Sequence, residues 1–266
     1  MNLISQQIQS MSGEVLCPGD KSISQRILII GSFLNCEMEI DGFLDSEDPN
    51  STLKALNKIG ASIKKEQNRV FLTERNIPFQ ESSNDLDLGN SGTGARLILG
   101  LIAGLALKST IVGDPSLSNR PMLRVIKPLT EMGASIESSN GRLPIHTFYS
   151  KISNNFKYDM PIASAQVKSC LLLAALASKN NIKIIEPKIT RDHTERMIDY
   201  FGGDISFGTK ENIGEVLLKF KNLSPKSTYS IPGDFSSAAF IIVAALISYK
   251  SKLEIKNVGL NKTRSG

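Results

Sequence analysis

The sequence predicts an α/β (α+β) protein built from repeated βαβαββ units around parallel, buried helices. Three recurrences point to this. A glycine closes an amphipathic stretch in "KIGASI", "EMGASI" and "YFGGDI", at Gly60, Gly133 and Gly202, 73 and 69 residues apart. A serine opens a strongly apolar run at Ser22, Ser91, Ser164 and Ser236, spaced 69, 73 and 72 residues. A short β-like segment follows each run: "EMEIDGF", "STIVGD", "IKIIEP" and "KLEIKNVG". This period is too long for a solenoid repeat, so each unit is expected to be a small subdomain.

Taken in chain order, each unit begins with a polar, serine-rich start and a helix that is apolar almost all round. Examples are "SISQRILIIGSFL" and "SGTGARLILGLIAGL". A helix without a polar side belongs in the middle of its lobe. Three such helices side by side would make a helical core with sheets outside. The β-like segment comes next, its apolar residues alternating as in a half-buried strand. A more amphipathic helix follows, as in "DPNSTLKALNKIG" and "SNRPMLRVIKPLTEMG". The closing glycine fits a left-handed C-terminal cap, and a further strand completes the unit.

The same pattern predicts a binding face. If the buried helices run parallel, their polar N-termini emerge together. Ser and Thr there cap the free N–H groups, and those groups with the helix dipole favour anions. Unit one offers Lys21, Ser22 and Arg26. Unit two offers Asn90, Ser91, Gly92, Thr93 and Arg96. Unit three offers Ser164, Gln166 and Lys168. The second helices add Arg120 in "SNRPM" and Arg191 in "TRDHTE".

Composition narrows the classes. The chain has 266 residues, 41% of them hydrophobic and 21% charged, enough for a real core and unlike a disordered profile. A formal net charge of +5 fits small anionic substrates, a nucleic acid or an anionic membrane. No block of five like charges and no basic-aromatic stripe favours nucleic acid. The longest apolar run, Leu97 to Leu107, is shorter than the ~20 residues of a membrane-spanning helix. The opening "MNLISQQIQSMSG" has neither the basic nor the apolar region of a signal peptide. Three cysteines, Cys17, Cys36 and Cys170, without CxxC spacing, read as reduced thiols of a cytoplasmic protein. With only His146 and His193 beside them, they make no metal cluster.

The chain resembles the 5-enolpyruvylshikimate-3-phosphate synthase family. The resemblance rests on "PGDKSISQR", "GNSGTGARL", "GDPSLSNRPM", "MPIASAQVKS", "TRDHTERM", "PGDFSSAAF" and "VGLNKTRSG", which follow the family's order over nearly the whole chain. It implies the enolpyruvyl transferase-like inverse α/β barrel, with two lobes of three βαβαββ units. Residues 20–231 would form one complete lobe. Residues 1–19 and 232–266 would belong to the second, entered and left at the two Pro-Gly-Asp tripeptides.

It also implies an activity: transfer of the enolpyruvyl group of phosphoenolpyruvate to the 5-hydroxyl of shikimate 3-phosphate, releasing phosphate. The implied setting is chorismate and aromatic amino-acid biosynthesis, in a cytoplasmic monomer with no cofactor. The residues carried over are Lys21 as a catalytic cation touching both substrates, and Ser22, Arg26, Ser164, Gln166 and Arg191 at shikimate 3-phosphate. Arg26 would meet its carboxylate and Ser164 its phosphate, with Ala165 helping through its N–H. Lys21, Gly92, Arg120 and Gln166 would bind phosphoenolpyruvate, Asn90 and Thr93 shaping that loop. Glycine at 92, where glyphosate-tolerant relatives carry alanine, implies a glyphosate-sensitive parent. His193 is expected to play a structural or supporting part.

Family members are longer. They continue after the match to Gly266 with an aspartate base, a Lys-Glu pair and further arginines. These 266 residues alone are therefore expected to be inactive, as a fragment, a truncated product or one half of a complementing pair. The related UDP-N-acetylglucosamine enolpyruvyl transferases would want Asn where Ser22 stands and a mobile cysteine loop. A non-catalytic shikimate 3-phosphate-binding fragment is a second alternative. RNA-end processing on a related fold lacks a histidine in a suitable motif.

Overall fold

A computed structural model describes residue 4 and residues 9–210 and 213–265. Expectations resting on residues 1–3, 5–8 and Gly266 lie outside the described residues. The first stretch holds β1 (Ser12–Leu16), α1 (Lys21–Leu34), β2 (Met38–Asp41), α2 (Glu47–Lys58), β3 (Ile63–Glu66) and β4 (Arg69–Leu72). Next come β5 (Leu86–Asp87), α3 (Gly92–Gly104), β6 (Ser109–Val112), α4 (Pro115–Ser118), α5 (Leu123–Glu131), β7 (Ser135–Ser139) and β8 (Arg142–Phe148). The third stretch holds β9 (Phe156–Asp159), α6 (Ala165–Ala177), β10 (Ile182–Glu186), α7 (His193–Tyr200), β11 (Asp204–Lys210) and β12 (Ile213–Lys219). β13 (Thr228–Ser230), α8 (Phe235–Ile247), β14 (Lys252–Lys256) and α9 (Lys262–Ser265) complete it.

The repeat appears as three four-stranded sheets of one design. Their orders are β13-β2-β4-β3, β5-β6-β8-β7 and β9-β10-β12-β11. In each, the first pair is parallel and the other two are antiparallel. The first unit takes its outer strand from far along the chain: Thr228, Tyr229 and Ser230 pair with Glu39, Ile40 and Asp41. The parallel pair β1–β14 repeats the opening of the same design. Gly60, Gly133 and Gly202 all have positive φ just beyond their helices, the left-handed closure expected of them.

α1, α3 and α6 are buried on every side. Ile27 to Ile30, Leu97 to Leu99 and Cys170 to Leu172 are consecutive residues with no exposed surface, a pattern expected of a helix surrounded on most sides. α3 and α6 approach closely because α3 carries glycines at the contact. A Cβ at Gly100 would lie 2.2 Å from the carbonyl oxygen of Cys170, and one at Gly104 would lie 2.3 Å from that of Ala174. The fourth apolar helix departs from expectation. Only Ala238 of α8 is buried, while Phe240, Leu246 and Ile247 are exposed. α8 rests mainly on β14, and among the described residues no helix pair encloses it as α3 and α6 enclose each other.

The two Pro-Gly-Asp tripeptides meet. Gly19 and Gly233 form an antiparallel bridge, Asp20 N–H donates to the Pro232 carbonyl at 2.9 Å and Asp234 N–H to that of Pro18 at 2.8 Å. A Cβ at Gly19 would sit 1.9 Å from the carbonyl oxygen of Gly42, so only glycine fits. After this crossing each aspartate caps the helix it opens: Asp20 accepts from Ile23 N–H and Asp234 from Ser236 N–H.

Candidate functional site

The helix starts of units one to three do converge, but the caps are divided differently from expectation. Ser91 and Ser164 cap α3 and α6, accepting from the N–H groups of Gly94 and Val167. Ser22 does not cap α1, because Asp20 does. Its hydroxyl instead accepts from Arg191 Nη1 at 2.5 Å. A cavity of about 190 Å³ lies among Ser22, Arg26, Thr93, Ser164, Ala165, Gln166 and Arg191. Seven of the eleven residues named through the resemblance therefore share one small polar cavity.

Arg26 is its most informative member. It is 2% exposed. Its Nε donates to Thr194 Oγ1 at 2.8 Å, Nη1 to the Ser22 carbonyl at 3.0 Å and Nη2 to Ser169 Oγ at 3.0 Å. All these partners are neutral. Burial first, and the nearby Arg191 second, push its pKa down to about 10, against the opposing pull of Glu195 and Asp20. A buried guanidinium held by dipoles, with no carboxylate in contact, keeps a positive charge that an anion in the cavity could meet. Burial, with Arg264 close by, also lowers the pKa of Arg191.

Of the expected phosphoenolpyruvate residues, Gln166 lines this cavity, while Gly92, Arg120 and Lys21 do not. Gln166 Oε1 accepts from Arg96 Nη1 at 3.0 Å, and its Nε2 donates to Thr93 Oγ1 at 2.9 Å. Arg96 also donates to the carbonyls of Gly92 and Pro121. Arg120 reaches Asn90 Oδ1 at 2.5 Å. A Cβ on Gly92 would lie 3.0 Å from the Nη1 atoms of both Arg96 and Arg120. Gly92 thus leaves room for two guanidinium groups. Lys21 is half-exposed and pairs with Asp48 at 3.0 Å. It opens α1 next to Ser22 but does not line the cavity.

Two expectations about cations change. Lys168 is not on the binding face. It is buried, with its Nζ 2.7 Å from both Glu186 and Glu195, because a lone ammonium in that core would be unstable without carboxylates. Arg120 and Arg191 stand in the turns ahead of α5 and α7. The residues that hold Arg26 in place, Thr194 and Ser169, gave no sign in the sequence beyond lying in the "TRDHTERM" and "MPIASAQVKS" stretches.

His193 is buried near the same cations. Burial first, then Arg26 and Arg191, bring its pKa down to about 3. Its Nδ1 meets Asn261 Nδ2 at 3.2 Å. Asp192 accepts from Asn261 at 2.6 Å and Thr263 at 2.7 Å, fastening "VGLNKTRSG" to the start of α7. Among the described residues, no group of three or more His, Cys, Asp or Glu side chains is arranged to hold a metal ion. No helix among them is long and apolar enough to cross a membrane.

Fold and site together define a class: an α/β protein of repeated βαβαββ units that gathers helix N-termini and guanidinium groups around a small polar cavity. Comparison with known proteins makes this specific. The family model for EPSP synthase (3-phosphoshikimate 1-carboxyvinyltransferase) matches residues 5–266, and the chain belongs to that family. It is 47% identical to the 3-phosphoshikimate 1-carboxyvinyltransferase of Petrotoga mobilis over 97% of its own length, and 43% identical to that of Bartonella quintana over 96%. It superposes on the EPSP synthase of Acinetobacter baumannii with a TM-score of 0.84 at 36% identity, covering 96% of this chain and 57% of the other. The chain spans about 60% of the length of the curated relatives it matches. The inverse α/β architecture of enolpyruvyl transferases is the fold observed here.

Proposed function

We propose that this chain binds shikimate 3-phosphate, and phosphoenolpyruvate beside it, as part of the enolpyruvyl transfer for which its relatives are named. The observation that carries the reading is Arg26, a buried guanidinium with only neutral partners, facing a cavity shared with Ser22, Ser164, Gln166 and Arg191. In this reading the phosphate meets the Ser164 and Ser22 hydroxyls and Arg191, and the carboxylate meets Arg26. Gly92 and Arg120 bind phosphoenolpyruvate, with Gln166 between the two ligands. Lys21 leaves Asp48 to neutralise charge that develops at the reacting enol ether.

We further propose that residues 20–231 form one lobe. The sheet that β13 closes and the continuous core from Ile23 to Ile231 support this division. A monomer in the cytoplasm completes the proposal.

Calorimetric titration of the 266-residue polypeptide tests the reading. Shikimate 3-phosphate is expected to bind at least tenfold more tightly than shikimate, since charge-assisted contacts to the phosphate are worth about 1.5–3 kcal/mol each. Equal affinities would refute it. Gly92→Ala, by pressing on Arg96 and Arg120, should weaken phosphoenolpyruvate binding and spare shikimate 3-phosphate. The polypeptide by itself is expected to bind without releasing phosphate, because the resemblance assigns the proton-accepting aspartate to no residue present here.

A further inference from the structure

A group of residues outside the cavity is joined to Arg191 through the chain. Lys168, 1% exposed, places its Nζ 2.7 Å from Glu186 Oε1 and 2.7 Å from Glu195 Oε1. Glu186 is the last residue of β10 and 2% exposed. Its Oε2 accepts from Thr190 Oγ1 at 2.6 Å, and its Oε1 from Thr190 N–H at 3.3 Å. Lys168 Nζ reaches the Thr190 carbonyl at 3.4 Å. Residue 190 is therefore gripped at its amide, its carbonyl and its side chain. The next residue is Arg191, whose Nη1 donates to Ser22 Oγ across the cavity wall.

A second observation shows that the Glu186 side chain has a reserved place. Gly214 lies opposite it in the β10–β12 register. A Cβ on Gly214 would be 2.5 Å from Glu186 Cγ and 3.0 Å from Oε1. Glycine on the neighbouring strand leaves the space in which Glu186 turns toward Thr190.

We propose that Glu186, neutralised by Lys168, is a positioning residue for Arg191 and acts through Thr190. An ion pair needed only to join α6 to β10 would have no use for a three-point grip on the residue before a ligand-facing guanidinium. The extended loop between β10 and α7 would otherwise let Arg191 sample several positions. A shift of ~1 Å in a binding group can cost up to ~100-fold in function, and sites of this kind depend on supporting contacts behind the first ones. The inference rests on the proposed binding of shikimate 3-phosphate for one of its readouts only.

The test uses Thr190→Val, which removes the hydroxyl while keeping the shape, and Thr190→Ser, which keeps the hydroxyl. Thr190→Val should lower shikimate 3-phosphate affinity about tenfold, and Thr190→Ser by less than about twofold. In an Arg191→Ala background, Thr190→Val should cause almost no further loss. A full tenfold loss there would mean that Thr190 acts independently of Arg191 and would overturn the proposal.

Nitrogen-15 NMR of the ligand-free protein gives a readout that needs no substrate. The Arg191 Nε–H resonance should shift or broaden in Thr190→Val and stay in place in Thr190→Ser. An unchanged resonance in both also overturns the proposal. If Arg191→Ala leaves shikimate 3-phosphate affinity unchanged, the functional reading falls, while the NMR comparison still decides the positioning role. Should Thr190→Val fail to fold, Gly214→Ala displaces Glu186 without deleting a polar group, and the same resonance is expected to move.

Discussion

Replacing Arg26 by methionine should separate stability from binding. Methionine keeps much of the side-chain volume and removes the charge. Folding lowers the Arg26 pKa from its ordinary 12.5 to about 10. A base whose pKa is lower in the folded state is one whose charged form folding disfavours. At neutral pH, at roughly 1.4 kcal/mol per pH unit, the native protein carries about 3.5 kcal/mol of unfavourable free energy at this group. Against this stand the hydrogen bonds to Thr194, Ser169 and the Ser22 carbonyl, each worth ~1 kcal/mol net. Thr194 and Ser169 keep the 2.7 Å bond between themselves when the guanidinium goes.

The two effects nearly cancel, so Arg26→Met should change stability by no more than about 2 kcal/mol, a midpoint shift under roughly 8 °C for a chain of this size. Shikimate 3-phosphate affinity should nevertheless fall at least tenfold, since one charge-assisted contact of ~1.5–3 kcal/mol disappears. Thermal denaturation and calorimetry on the same preparation check both. A loss of more than ~4 kcal/mol would mark Arg26 as a structural cation, the behaviour of a broken buried ion pair. Unchanged affinity would remove it from the site.

Two further outcomes test the fold and its electrostatics. Gly104→Ala forces a Cβ to within 2.3 Å of the Ala174 carbonyl oxygen and 2.7 Å of Ala177 Cβ, and the resulting strain should cost about 1–3 kcal/mol. Thermal unfolding within 1 °C of wild type would mean that α3 and α6 are not packed as described. His193, with its pKa brought down to about 3 from 6.5, takes up protons more readily unfolded than folded, so its contribution is intact above pH ~6.5 and is lost as pH falls toward 3. Asp20, whose burial raises its pKa, acts in the opposite sense. The comparison is therefore with His193→Gln, whose denaturant midpoint should fall less steeply than wild type between pH 6.5 and 4.5; parallel slopes would refute the assignment.

The fold was legible where its signals are local. Apolar residues on all sides of α1, α3 and α6 announce burial within a dozen residues, and Gly60, Gly133 and Gly202 mark helix ends by a backbone angle few other residues accept. What stayed hidden depends on distant partners. β13 is three residues long, too short for any alternation to show, and joins the first sheet only because β2 offers a free edge about 190 residues earlier. α8 has the composition of the three buried helices yet lies exposed, since composition states what a helix would gain from burial and not what lies beside it.

Arg26 and Lys168 show the same limit within the site. Each stands four residues after the repeat serine, Ser22 or Ser164, so both occupy one position of the repeat and both are buried cations. The repeat predicts equal roles for them, and their partners make the roles opposite. Lys168 faces Glu186 and Glu195, 18 and 27 residues further on, and its charge is answered within the protein. Arg26 faces the hydroxyls of Ser169 and Thr194, which answer its hydrogen bonds and leave its charge unanswered. Carboxylates beside Arg26 would have compensated its charge and closed the cavity to anions; hydroxyls beside Lys168 would have left a strongly hydrated ammonium dry, with too few acceptors. The chemistry of the site therefore follows from which neighbours the third unit brings to each cation, information that resides in the packing of α1, α6 and α7 and in no single stretch of the chain.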